Sequence, residues 1–475
     1  MDASSCQGCC ERDARIAALE ARISELEARH QEQARLILDM AHKLQDKNLP
    51  KSGPPPAAPA KTEQTKKKAS GRKPGGQPGH PPHLKQMAPV EKVSEIIPIV
   101  PERCAHCDTP LPAQPGANDP PPTRFQVAEL PELKAKITEY QGQARTCPCC
   151  SQVTRAVIPA DCRAHSIGPG LAALMAYLVG VAGLSKRRVE ELIEAIFEVP
   201  VSVGTIANLE QETSTALEPT YQQARTAVRA AEVKHLDETG WKKAGHKRWL
   251  WVVATTTVVM FLIHRLRNAA VVMMLLGAEL HGILCTDRWK AYNGIPLAQR
   301  QVCWAHLRRN FEALLKRGGR AKKIGTACLD IHNRLFHEWH LFRGGGITRQ
   351  KLQRRTQPLR EELAALLKEG QRSRNRKTAR FCKALLALEP ALWTFVGTEG
   401  IEPTNNHAER VQRLAVLYRK NCFGCHSDLG CRFVERLLTV VQTLRLQKRS
   451  VFQFLKETLI AHRAGQSGPQ LVPDR

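Results

Sequence analysis

Three acidic residues stand where a carboxylate is costly unless something uses it. Asp237 follows Val233-Lys234-His235-Leu236, a short strand-like run, and precedes the apolar run Trp249 to Ala254, which reads as a buried strand. Asp287 ends Gly282-Ile283-Leu284-Cys285-Thr286-Asp287, a buried-strand pattern with an acid at its tip. Glu409 lies just over one turn into a helix that Thr404 or Asn405 can cap. Burying such a charge alone costs about several kcal/mol, so Asp237 belongs on a cleft edge, in an ion pair or on a metal. The plainer alternatives are a hairpin-end aspartate capping its own turn and, for Glu409, a solvated surface residue. Together the three offer only oxygen ligands. That donor set suits two Mg²⁺ ions about 4 Å apart, with Mn²⁺ as the substitute.

The elements that must position these acids follow from the same stretch. Lys242 to Lys247 is turn-rich, Thr255-Thr256-Thr257 reads as a hairpin turn, and Val258 to His264 as a third strand. Asn268 to Leu276 is helical, and the run ending at Asp287 is a fourth strand. Three antiparallel strands, a crossover helix and a fourth strand beside the first is the order of a ribonuclease-H-like core, which would bring Asp237 and Asp287 together. The core then covers 231–302 and 396–432, split by a basic helical insertion over 303–395, with closing helices and a tail over 433–475. The insertion opens with Cys303-Trp304-Ala305-His306-Leu307-Arg308-Arg309. His306 and Arg309 share a helix face, as DNA-phosphate or active-site contacts or as a solvated basic face. Arg410 and Arg413 follow Glu409 closely and are further candidates for contact with DNA.

Ahead of the core, 1–49 carries Ile16, Leu19, Ile23, Leu26, Ile37, Met40 and Leu44 at heptad spacing. This is a short coiled coil suited to dimerisation, or else a lone amphipathic helix. Residues 50–90 form a Pro-, Gly- and Lys-rich linker. Lys66, Lys67, Lys68, Arg72 and Lys73 suit phosphate contacts there, a plain tether being the alternative. Within 91–160, Cys104/Cys107 and Cys147/Cys150 form two C-x-x-C pairs around a strand-like segment, Ala135 to Tyr140. They fit a structural four-cysteine zinc site in a zinc-ribbon-like DNA-binding lobe, against unligated cysteines. The region 161–230 is helical: an apolar helix from Leu171 to Leu184, a second begun by Ser185 with Lys186, Arg187 and Arg188, and a third capped by Ser202 with Thr205 and Asn208. This reads as a helix-turn-helix-like domain, or as plain helix packing. Cys422, Cys425 and Cys431 read as incidental cysteines in a turn, a second zinc site being the alternative.

The 475 residues allow two to four domains, and 42% hydrophobic content suits a globular chain. A formal charge of +26 and a pI near 9.7 predict an anionic partner, nucleic acid first. The opening residues are charged and lack an apolar core, and no apolar run is long and unbroken enough to span a bilayer. The expectation is a cytoplasmic protein with reduced thiols and no membrane partner.

Several motifs are specific in wording and order. They are Gly75-Gly76-Gln77-Pro78-Gly79-His80, the two cysteine pairs, Ser202 to Thr205, Asp237-Glu238-Thr239-Gly240-Trp241, and Arg248-Trp249-Leu250-Trp251. They continue with Thr286-Asp287, Ala291-Tyr292-Asn293, Cys303-Trp304-Ala305-His306 and Asn405-Asn406-His407-Ala408-Glu409-Arg410. From the linker to about residue 460 the chain resembles the insertion-sequence-66 family of bacterial transposases, in its large catalytic subunit. The resemblance implies a multidomain α/β protein with a ribonuclease-H-like catalytic core and an Asp237, Asp287, Glu409 triad. It also implies binding of terminal inverted repeats, Mg²⁺-dependent cleavage and transfer into target DNA, a homodimer or larger synaptic complex, and small accessory proteins of the same element. The cysteines at 422, 425 and 431 depart from the family pattern. A nuclease or resolvase of the same fold, and a noncatalytic DNA-binding regulator, are the rival readings.

Overall fold

The computed structural model of the protein describes residues 87–472 except 115, 117 and 118. The coiled coil expected over 1–49, the Gly75 to His80 motif and the basic residues Lys66, Lys67, Lys68, Arg72 and Lys73 lie outside the described residues. The chain divides into two compact units, 1–119 and 120–475. In the first, the described residues hold one 3-10 turn, Val90–Lys92, and a tight turn over Cys104 to Thr109 closed by the Arg103–Asp108 ion pair at 2.8 Å.

The second unit opens with a hairpin, β1 (Ala144–Thr146) and β2 (Val153–Arg155), antiparallel around the second cysteine pair. Ala135 to Tyr140, expected as a strand, is not one. Its alternating residues are almost all exposed and have no partner strand, so the pairing falls to β1 and β2 instead. Five helices follow: α1 (Ala160–Ala164), α2 (Pro169–Gly180), α3 (Lys186–Phe197), α4 (Val203–Ala216) and α5 (Glu218–Ala230). The expected helix starts at Ser185 and Ser202 are caps, accepting from the amides of Arg188 and Thr205, while α2 starts two residues before the expected Leu171, with Pro169 in its first turn. The apolar helix stops at Gly180 rather than Leu184. There a Cβ would come within 1.8 Å of the Leu437 side chain, so this turn of α2 passes directly against a later helix.

The sheet comprises β3 (Val233–Lys243), β4 (His246–Ala254), β5 (Val259–His264), β6 (Ile283–Thr286) and β7 (Arg300–Val302), in the order β5-β4-β3-β6-β7. The first three are antiparallel, while β6 and β7 run parallel to β3, after the crossover helix α6 (Ala269–Leu276), which Asn268 caps. One expectation needs correction. Asp237 is not at the tip of a four-residue strand but inside an eleven-residue one, opposite Val252. The hairpin turns only at Ala244 and Gly245, both at positive φ, because Glu238 to Trp241 go on pairing with Arg248 to Trp251. On its other side β3 pairs with β6 only over Val233 to His235, so beyond that point the sheet opens. Asp237 stands at the opening. Asp287 directly follows the last residue of β6.

Helices α7 (Trp304–Leu315), α8 (Gly319–Arg343), α9 (Arg349–Gln371), α10 (Arg376–Leu386), α11 (Glu389–Leu392) and α12 (Thr394–Gly397) form a second apolar core of their own. It is centred on Trp304, Phe311, Leu335, Leu363 and Phe395, with Cys285 and Val302 of the sheet at its margin. The chain then enters α13 (Asn406–Cys422), α14 (Asp428–Leu446) and α15 (Val451–Arg463). These helices, α2 to α6 and the sheet share one continuous core, so the 161–230 helices do not carry a separate one. Residues Glu435, Thr439 and Thr443, four apart on α14, accept from the outward amides of the edge strand: Ile263 at 2.6 Å, and Phe261 and Val259 at 3.0 Å each. Among the described residues no helix is long and apolar enough to cross a membrane.

Candidate active site

Alternation along β3 sends His235, Asp237, Thr239 and Trp241 to one face, and α13 lies along that face. His235 Nδ1 donates to Asn405 Oδ1 at 3.0 Å, and the Asn405 amide donates to Leu236 O at 2.8 Å. His235 also meets the His407 ring edge-on at 5.2 Å, Arg419 donates to Gly240 O, and Tyr418 stacks on Trp241. Strand and helix therefore run alongside each other, which sets Glu409, one turn in, toward Asp237. Asn405 does sit at the N-cap of α13, but its side chain makes no capping bond. It is committed to His235 and Leu236, anchoring the helix to the strand.

Asp287 is held by its own neighbours. The Trp289 amide donates to Oδ1 at 2.8 Å, while the fully buried Arg300 donates to the Asp287 carbonyl at 3.0 Å and to Thr286 Oγ1 at 3.2 Å. Cys303 joins three pieces: its amide donates to Thr286 O at 2.8 Å, its sulfur accepts from the Asn405 amide at 3.1 Å, and α7 starts at the next residue. The helix so launched brings His306 Nε2 to 3.6 Å and Arg309 Nη2 to 3.5 Å from Glu409 Oε1. His306 is held below its usual pKa by burial and by Arg309, so its ring is neutral near pH 7. Sequence reasoning missed Cys303, Asn405 and Arg300 as joints, because their role depends on partners up to 170 residues away.

Asp237 is half-buried, and its carboxyl is pushed up to about 8. Burial is the main cause. Glu238 adds repulsion, followed by Asp287 and Glu409, against a backbone hydrogen bond that pulls the other way. Glu238 points to the opposite face, where Arg267 Nε (2.8 Å) and the Tyr292 hydroxyl bind it, so it is committed elsewhere. An aspartate raised this far holds a proton between about pH 4 and about pH 8 that the unfolded chain releases, so stability falls as pH rises through that window. Asp237→Asn is therefore expected to equal wild type near pH 4 and to exceed it near pH 8 by about 1–3 kcal/mol, discounted for partial exposure. Urea unfolding in metal-free buffer at both pH values checks this, and parallel pH profiles would remove Asp237 as the source.

The donor chemistry of the three carboxylates fits Mg²⁺, and a cation would relieve the repulsion at Asp237. Among the described residues, however, no three Asp, Glu, His or Cys side chains are gathered as a ready single-ion cage. The two cysteine pairs share one backbone design. Cys104 and Cys147 donate to the carbonyls of Thr109 (2.9 Å) and Gln152 (2.8 Å) and accept from Asp108 and Ser151, each at φ 56°. The Cys107 thiol is lowered chiefly by the Thr109 hydroxyl, and that of Cys147 by the Cys150 amide. Cys107 and Cys147 are thus each shifted toward thiolate, the form that binds zinc.

The remaining basic candidates divide. Arg187, Arg188, Asn208, Arg410 and Arg413 are exposed. Thr205 is half-buried beneath the Ser202 cap. Lys186 is turned inward onto Glu210, so it is not free for phosphate. Cys425 and Cys431 are buried in the main core and half-buried Cys422 donates to Gly183 O, which makes all three packing residues.

Compared with known proteins, residues 165–432 match the family described as "Transposase IS66 family". One relative, the uncharacterized protein y4qI of Sinorhizobium fredii, is 27% identical over 433 residues, covering 82% of this chain and 76% of its own length.

Proposed function

Because the chain belongs to the IS66 transposase family, over more than half its length, we propose that it is a DNA transposase that cleaves the ends of its element and joins them to target DNA. The observation that carries this reading is that Asp237 lies where β3 and β6 part, with Asp287 and Glu409 close enough to raise its carboxyl. The sheet order, three antiparallel strands and then two parallel ones across a helix, supports a ribonuclease-H-like core. In parallel sheets ligands sit beyond the carboxyl ends of the strands; Asp287 follows the end of β6, and Asp237 lies two residues past the end of its parallel pairing with β6.

Asp237, Asp287 and Glu409 would hold Mg²⁺ or Mn²⁺, which when bound supplies an activated hydroxyl nucleophile and charge neutralisation at the leaving 3′-oxygen. The residues around them do the rest. Arg300 and the Trp289 amide fix Asp287, Asn405 fixes the start of Glu409's helix, and His306 and Arg309 orient the Glu409 carboxylate. Arg187, Arg188, Asn208, Arg410, Arg413 and the linker lysines would meet the inverted repeats, phosphates giving affinity and base edges specificity. Both ends must be held at once, so the working unit in the cytoplasm is a dimer or larger complex, joined by the element's accessory proteins. A Mg²⁺-dependent cleavage and joining assay on the element's own ends tests the reading. Cleavage without joining would favour a nuclease, and no reaction at all a noncatalytic regulator.

Cys104, Cys107, Cys147 and Cys150 would hold a structural zinc. Purified protein should then contain equimolar zinc, lost together in Cys104→Ser and Cys147→Ser, with inverted-repeat binding weakened by at least about tenfold on chelation. Metal-free protein that binds its ends normally would end this assignment.

A further inference from the structure

We propose that a cavity beside Asp287 receives one unpaired nucleotide of the DNA strand, so that the end is opened locally before it is cut. The inference rests on the transposase reading and specifies its substrate. The cavity has a volume of about 940 Å³ and lies between the loop after β6, helix α7 and helix α10. That is within the about 300–1,000 Å³ typical of pockets that take one small ligand, and it opens to solvent on one side. Its lining is that of a nucleotide site rather than of a metabolite pocket. The half-buried Trp289 lines one side; Arg267 is stacked over its indole, 4.1 Å from the centroid, and is also within 4.5 Å of Trp249 and bound to Glu238. Ala384, Ala387 and Leu388 supply an apolar surface.

Arg288 supplies the charge. Its Nε donates to Asn310 Oδ1 at 2.6 Å and its guanidinium lies 5.0 Å from the Phe381 ring centroid, which together fix it, and Asp287 is the acid whose charge acts on it. A base has a π-face for the part of Trp289 that lines the cavity, and its phosphate suits Arg288. The cavity is also tied to the acids, because the Trp289 amide is the donor to Asp287 Oδ1. A nucleotide seated against Trp289 would therefore bring its own or the adjacent phosphate to Asp287. Taking a base out of a duplex costs stacking and pairing, and sites that do so offer an aromatic surface in return.

The test uses the full-length protein and duplexes of the element's own ends, with 2-aminopurine placed in turn at the nucleotides around the cleavage point. Binding is followed in Ca²⁺ and cleavage in Mg²⁺. Wild type should raise the fluorescence at one position. Ala387→Trp, which fills the cavity from an exposed position on the insertion, should bind the duplex, give no rise and cleave at least about tenfold more slowly. Trp289→Ala should lose about 10- to 100-fold on a paired end and recover on an end mismatched at that position. Because Ala387 is exposed, the inference does not depend on Trp289→Ala folding. Wild type that cleaves with no fluorescence change, or Ala387→Trp that cleaves normally, would overturn the inference and leave the transposase reading standing. Wild type that cleaves no end at all would overturn both.

Discussion

Asp287→Ala, Asp237→Ala and Glu409→Ala are each expected to slow end cleavage and joining by at least about 10³-fold, roughly 4 kcal/mol in the barrier, while leaving inverted-repeat affinity within about threefold. The size of the effect follows from the arrangement. Each acid comes from a different element (β3, the end of β6, and α13), so no neighbour can substitute for it. Glu238, the nearest other carboxylate, faces away and is bound by Arg267 and Tyr292. Affinity is spared because DNA binding draws on dispersed cations rather than on the acids. Gel-shift and single-turnover assays with Mg²⁺ separate the two quantities. A variant that bound normally and cut at wild-type rate would remove that residue from the triad. Arg309→Ala should cost less than any of the three, since at 3.5 Å it orients Glu409 without replacing it.

Gly282→Ala should be the most damaging small substitution in the sheet. Gly282 enters β6 at φ 68°, and a Cβ there would lie 2.2 Å from the Glu232 carbonyl oxygen and 2.7 Å from its Cα. That carbonyl accepts the Ile283 amide at 2.7 Å, the bond that starts the β3–β6 pairing. The obstruction is backbone, so rotamer changes cannot relieve it, and β6 must move. The expected loss is about 3–5 kcal/mol of stability, read as a midpoint lower by about 6 °C or more. Cleavage should fall even well below that midpoint, because Asp287 travels with β6. A variant melting within about 2 °C of wild type would show that the entry to β6 tolerates a side chain.

The first four strands and their order were readable because hydrophobic runs, turn residues and helix caps are local signals. Ser185, Ser202 and Asn268 each cap the helix they were expected to begin. Errors arose where pairing is decided at a distance. Nothing near Asp237 announces that β4 will follow β3 for its full length while β6 stops at His235. Asn405 has the type and position of a cap, yet its side chain is claimed by a strand some 170 residues earlier. Lys186 looked like a member of a basic face until Glu210, on the next helix, turned it inward. Ala135 to Tyr140 alternates like a strand but has no partner strand among the described residues.

The row of Glu435, Thr439 and Thr443 along β5 has a consequence beyond this chain. An open sheet edge is a template on which another polypeptide can add a strand, and proteins crowded together on one ligand are the most exposed to that hazard. Here the outward donors of β5 are already satisfied by the chain's own helix. A second copy brought alongside therefore finds no free donors on β5 with which to add a strand.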